Sequence, residues 1–168
     1  YDATRGWDFR GLRQAGLEEF TARSIAIHAD PVHEARDLAV LSEVKVTSDG
    51  PFVPTLAGQR LGVAFQVGEL TPELSKGVWN FADAGEPLRA LWERGVLREV
   101  LCTNALHVTI KERDRGKTWR VSLANARLDG GAGTLSAQLA PHEATVAAGQ
   151  PAWGWDRGSV EGRVTAAP

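Results

Sequence analysis

Along much of the chain, apolar and polar residues alternate one for one. Leu61, Val63, Phe65 and Val67 alternate with Gly62, Ala64 and Gln66. Val100, Cys102, Leu106, Val108 and Ile110 fall on one face, with Thr103, His107, Thr109 and Lys111 on the other. Successive side chains of a strand point to opposite faces, so this period predicts strands with one face buried and one wet. Asp114-Arg115-Gly116-Lys117 supplies a turn, and Trp119, Val121 and Leu123 resume the alternation. A long antiparallel hairpin follows.

Weaker alternation predicts strands over 22–29, over 43–47 (Val44 and Val46) and around Leu135, Ala137 and Leu139. Val146 begins another, and Val160, Gly162 and Val164 close the chain. The 48–59 stretch, with Asp49-Gly50, Pro51 and Pro54, reads as a loop.

Helix signals are fewer. Residues 1–20 suggest an irregular start and a short helix carrying Phe9, Leu12, Leu17 and Phe20, weakened by Gly11 and Gly16. Asp30 can accept from exposed backbone N–H groups as an N-cap, and Pro31 suits the first helical position. Val32, Ala35, Leu38 and Ala39 share a helical face, so a helix is expected over about 31–41. Thr71-Pro72-Glu73 is a further start limited by Gly77. Glu86-Pro87 opens a better helix, with Leu88, Leu91, Trp92 and Val96 on one face and Gly95 as a stop.

These elements predict a single domain over 1–168, β-rich and of α+β class. The expected architecture is a mostly antiparallel sandwich or partly closed barrel with two or three short helices. No repeating strand–helix unit, linker or internal repeat interrupts it.

Composition narrows the field. At 168 residues, 43% hydrophobic and 24% charged, the chain can build one core. That excludes a disordered chain, a coiled coil and a collagen-like fibre. The net charge of −2 gives no global reason to bind nucleic acid or an anionic membrane. No apolar run is long enough for a transmembrane helix. Cys102 is the one cysteine, so neither an intrachain disulfide nor a cysteine-rich zinc site is possible. It reads as a small buried apolar residue. The chain starts at Tyr1 and contains no Met. Removal of a leader or membrane anchor and trimming at an expression boundary account for this equally well. An extracytoplasmic or virion location is the expectation that suits the former.

Candidate chemistry is sparse. His28, Asp30 and His33 are the ligand types a divalent metal would take, and His107 or His142 could complete such a site. Each also has a plain structural role: an N-cap, a solvated first turn and a polar strand position. No Gly-x-Ser-x-Gly elbow, phosphate loop or dinucleotide motif occurs, and Gly130-Gly131-Ala132-Gly133 precedes a strand instead of a helix. Arg113, Arg115, Lys117 and Trp119 make a basic, aromatic hairpin tip that could approach nucleic acid, although Glu112 and Asp114 cancel part of the charge.

From Ala124 to Trp153 the chain is poor in charge, which suits an interface core. Leu135, Leu139, Trp153 and Trp155 are the interface candidates there. The reading that follows is a non-enzymatic structural or interaction domain. It would self-assemble into a homo-oligomer or dock on a heterologous protein, as a virion-type or cell-surface component. The alternatives are a small metal-dependent hydrolase using the His/Asp cluster, and a β-barrel holding a ligand among its Trp residues.

Overall fold

A computed structural model describes residues 6–30, 33, 36–51, 59–81, 86–139 and 158–163. The chain order is β1 (Trp7–Arg10), β2 (Arg13–Gly16), β3 (Glu19–His28), β4 (Asp37–Ser48), β5 (Leu61–Leu70), β6 (Glu73–Ser75) and β7 (Val78–Trp79). Helix α1 (Glu86–Glu93), β8 (Leu97–Glu112), β9 (Lys117–Asp129), β10 (Thr134–Leu139) and β11 (Gly158–Arg163) follow. All the strands belong to one sheet, with the path β1-β3-β4-β5-β8-β9-β10-β11. β2 pairs with β3 below β1, and β6 sits between β7 and the end of β8.

Most pairings are antiparallel, but β5 and β6 run parallel to β8, so the sheet is mixed. A parallel neighbour needs a crossover, and α1 lies in it. The helix ends at Gly95, whose φ of 65° suits a residue without Cβ. β5 and β6 are one strand line along β8. Leu70 pairs with Val108 and Glu73 with Lys111, at the same offset. Pro72, which has no N–H, breaks that line, while its carbonyl still accepts from Lys111 N at 2.9 Å.

A seam of irregular pairing crosses the sheet. It passes Gly11 (φ 65°), Glu43 (φ 51°) in β4 and Asn125 (φ 52°) in β9. In β8 one extra residue stands between Leu101 and Ala105 relative to both neighbouring strands. Opposite Ser136 to Gln138 of β10, β9 carries one extra residue, while the β10–β11 pairing is regular. Such bulges bend strands and add twist. They also reset the alternation. Ala22 and Ile25 both reach the core although three residues apart, as do Val44 and Leu41, and Ala126 and Leu123. Across the extra residue of β8 the spacing becomes four, from Cys102 to Leu106. The apolar faces on the two sides of the seam therefore meet in one cluster around Val44, Phe65, Cys102, Ala126 and Ala137. Small residues there let strands approach closely. The ring of Phe65 fills the space over Gly68, between Leu41 and Leu106. Carbonyls left over at the seam find side-chain donors. Thr103 Oγ1 donates to Phe65 O at 3.2 Å, and Cys102 Sγ lies 3.6 Å from Gln66 O.

This architecture corrects the expected one. The fold is β-rich, a single mixed sheet that is not closed into a barrel. Among the described residues α1 and one 3-10 turn at Arg113–Arg115 are the only helical elements. The expected N-terminal helix is instead the strands β1 and β2. The expected 31–41 helix gives way to β4 from Asp37; Pro31, Val32, Glu34 and Ala35 lie outside the described residues. Leu38 and Ala39 are both buried at the start of β4, so a run covered on both faces imitates a helical face. The start at Thr71-Pro72 leads to the short strand β6.

Candidate functional site

The sheet has two ends of different character. On one side β1 and β2 lie along β3 in a single register, Arg10 opposite Ser24 and Arg13 opposite Thr21. Gly11 separates them; a Cβ there would sit 3.2 Å from Arg23 Cβ. Phe9 pairs with Ile25 on the core face, and the register carries Leu12 to the level of Ala22. Both belong to the apolar side, yet Phe9 is 46% and Leu12 54% exposed. Trp7 is half-buried, with its ring centroid 6.1 Å from that of Phe9. Leu17, at the β2–β3 turn, is 73% exposed. Among the described residues no strand pairs with the outer side of β1 or β2. Among the described residues the core face thus runs out to an edge with no partner strand.

The other end is β11. It pairs with β10 as Gly158 with Leu139, Val160 with Ala137 and Gly162 with Leu135. Paired residues share a face, so two of the three core-side positions carry no side chain. Leu135 and Leu139 are half-buried in β10, paired on their other side with Leu128 and Leu123. Trp153 and Trp155 lie outside the described residues.

The metal candidates do not converge. His28 Nδ1 lies 2.7 Å from Asp37 Oδ1 across the β3–β4 pair. Asp30 contributes backbone bonds: its N–H donates to Asn80 O and its carbonyl accepts from His33 N. His33 turns inward, its side chain 1% exposed, with Nδ1 3.6 Å from Glu73 Oε1. Among the described residues no group of three or more His, Cys, Asp or Glu is arranged to hold a metal. His107 bonds to Ser122 Oγ on the polar face of β8 and β9, and His142 lies outside the described residues.

What His33 joins is a buried polar cluster absent from the sequence reading. Glu73, fully buried in β6, receives Arg113 Nε at 2.9 Å. Asn80 is also fully buried. Its Oδ1 accepts from Glu73 N, and its Nδ2 donates to Thr71 O, each at 2.8 Å. Lys76 N donates to Asp114 Oδ1 at 3.0 Å. Together these bonds tie the β3–β4 connection, the β6–β7 hairpin and the β8–β9 turn. A buried carboxylate is costly unless paired, and here the pairing also fixes where three loops sit. The one sequence signal for it was Pro72 beside an acid.

The hairpin tip is correspondingly less free than its charge suggests. Arg113 is committed to Glu73, and Arg115 Nε lies 3.1 Å from Glu112. Lys117 and Trp119 are exposed. On the polar face, a shallow depression of about 200 Å³ lies over Gly62 and Ala64, walled by Lys45, Thr47, Glu99 and Leu101. Its charges are matched locally, Lys45 by Glu19 at 2.6 Å and Glu99 by Arg127 at 3.4 Å. Cys102 sits in the core, and burial pushes its thiol pKa up, which keeps the less nucleophilic form.

No family model, curated protein or solved structure matches this chain. The reading of function therefore stands on the geometry alone.

Proposed function

We propose that the protein is a non-enzymatic structural domain that assembles with other protein through the outer edge of β1 and β2. The observation that carries this is the open end of the core: Phe9 and Leu12 face the apolar side of the sheet, yet remain about half exposed beside an edge with no partner strand among the described residues. An added strand would pair the free backbone groups and cover both side chains, the β-augmentation mode of recognition. The described clusters favour this over catalysis. The His28–Asp37 pair and the charged depression are matched locally, and the Glu73 cluster, which leaves both ring nitrogens of His33 without a hydrogen bond, is buried, so among the described residues none of the three turns a convergent set of groups to an open cavity. The open sheet likewise offers no barrel interior for a ligand.

Light scattering of the purified chain across a dilution series tests the proposal. The expected result is a species heavier than the 18.1 kDa monomer. Leu12→Glu should move its dissociation to at least about tenfold higher concentration, since an apolar side chain is worth roughly 1.5–3 kcal/mol on burial. Leu12 is exposed, so circular dichroism should report an unchanged fold. A monomer at every concentration contradicts the proposal.

A further inference from the structure

We infer that His33 is a proton-operated release for the β8–β9 turn: once its ring takes up a proton, it takes over Glu73 and Arg113 lets go. This switch lies in the buried cluster and is separate from assembly at the β1–β2 edge.

The state of the ring is the first reason. His28 Nδ1 lies 2.7 Å from Asp37 Oδ1, and His107 Nδ1 lies 2.9 Å from Ser122 Oγ. In His33 both ring nitrogens are buried and neither makes a hydrogen bond. A buried polar group left this way is destabilising and calls for an explanation.

The second reason is what the ring faces. His33 Nδ1 lies 3.6 Å from Glu73 Oε1, and Arg113 Nε lies 2.9 Å from the same oxygen. At 3.6 Å the neutral ring abuts the carboxylate without a hydrogen bond. A protonated ring has two N–H donors and a full charge, so by closing on Oε1 it gains a charge-assisted bond. Histidine is the side chain whose charge ordinarily changes within the physiological pH range.

The third is an asymmetry between the two cations. The side chains of His33 and Glu73 are 1% and 0% exposed, whereas that of Arg113 is 34% exposed. An imidazolium and a guanidinium on one oxygen repel each other at a distance comparable to that of their attraction to the carboxylate. The imidazolium has no route to water, but the guanidinium does, so Arg113 is the one that yields. Arg113 opens the 3-10 turn Arg113–Arg115, which Gly116 closes by donating from its N–H to Arg113 O at 3.0 Å. With Arg113 released, Lys76 N on Asp114 Oδ1 remains to tie this turn to the β6–β7 hairpin.

The described elements bring several charged groups to the cluster. They are Glu73 from β6, Lys76 from the β6–β7 turn, Lys111 opposite Glu73 in β8, Arg113 and Asp114 from the β8–β9 turn, and Asp30, whose carbonyl accepts from His33 N. Glu73 could also free Arg113 by taking the proton itself, and the test separates the two routes.

The isotope-labelled full-length protein is followed by NMR from about pH 8 to about pH 5. The signals read are the ring nitrogens of His33 and the Nε–H of Arg113, assigned with Arg113→Lys. Backbone hydrogen exchange across the turn is measured alongside and corrected for the pH dependence of the chemical rate. The His33 ring and Arg113 Nε–H should shift with one common midpoint, the latter towards the position of exposed arginines. Turn exchange should rise by about tenfold, the factor carried by a hydrogen bond to a charged group. His33→Gln stays polar but cannot take the charge, so its Arg113 signal and its turn exchange should be constant over the range. Arg113→Gln should exchange in the turn at pH 8 as fast as the wild type does at pH 5. Circular dichroism checks that each variant folds. The ring nitrogens report their own protonation, so the wild-type titration decides alone should His33→Gln fail to fold. An Arg113 signal that stays in place while His33 titrates overturns the inference, as does a His33 ring that keeps one state throughout. A wild-type pH response in His33→Gln puts the proton on Glu73 and overturns it too.

Discussion

Among the described residues, the two outermost edges of this sheet are built from opposite materials: β1 and β2 flank Gly11 of the seam, whereas β11 pairs regularly. β1 and β2 carry Trp7, Phe9 and Leu12 on the core side, more apolar surface than their neighbours cover. β11 carries Gly158, Val160 and Gly162 there, and Leu139 of β10 lies over Gly158, 2.6 Å from where a Cβ would stand. In an isolated domain both would be defects: one exposes hydrophobic area, the other wastes backbone in residues that stabilise a strand poorly. The difference teaches that an edge is best judged by the apolar surface it leaves uncovered.

Changes at the centre should have the largest effect and should harm both edges together. Phe65 packs at the seam over Gly68, so Phe65→Ala should lower unfolding stability by about 3–5 kcal/mol in a urea titration. Assembly should fall with it. A cost under about 1 kcal/mol would show that the seam cluster is not the common support.

Next comes a change that should separate stability from assembly. Asn80→Ala removes the partners of Glu73 N–H and Thr71 C=O inside a buried cluster. The expected cost is about 2–4 kcal/mol, from two backbone groups left unsatisfied. The melting temperature should drop while the folded fraction keeps its wild-type association. Loss of assembly at a temperature where the variant remains folded would tie the β6–β7 hairpin to the contact.

Charge at the edges should matter less, and its sign is informative. Arg13→Glu should weaken association by about threefold to fivefold at low salt, in line with an exposed pair worth up to about 1 kcal/mol. Association unchanged by Arg13→Glu would remove charge from the comparison.

The smallest effect concerns the turn that sets β10, and through it β11. Asp129 Oδ1 accepts from Gly131 N and Ala132 N at 2.9 Å each, and those two N–H groups hold its carboxyl below the usual carboxylate range. A depressed pKa contributes stability above the unfolded value, and that contribution is lost as pH falls through the folded value. Asp129→Ala should therefore lower stability slightly at neutral pH and match the wild type in strong acid, which flattens the acid limb; the effect is small because the group is at the surface. An acid limb identical to the wild type would contradict this role.

Much of the β architecture was legible in the sequence where one face is wet. The β8–β9 hairpin is the clearest case. Its alternation from Val100 to Ile110, the turn at Asp114–Lys117 and the return through Trp119, Val121 and Leu123 all appear in the pairing, with Gly116 at φ 61° in the turn. The helix at Glu86 was legible through its apolar face and Gly95. The seam was hidden because it breaks the alternation. Leu41 and Val44 point to one core only because Glu43 takes a left-handed conformation, and three-residue spacing otherwise reads as helix. The Glu73 cluster was hidden because its members come from Asp30, His33, Glu73, Asn80 and Arg113, far apart in sequence and brought together by three separate turns. The edges were hidden for a topological reason. Alternation tells which residues share a face, not which strand lies outermost, and Phe9 and Leu12, three residues apart, read as apolar positions of a short helix.

The central claim is that the outer edge of β1 and β2 is engaged by other protein. Backbone hydrogen exchange read by mass spectrometry, on dilute and concentrated samples of the wild type, tests it most directly. The account predicts that rising concentration slows exchange in β1–β2, with little change in β4, β5 and β8. Exchange in β1–β2 that is the same at every concentration would contradict it.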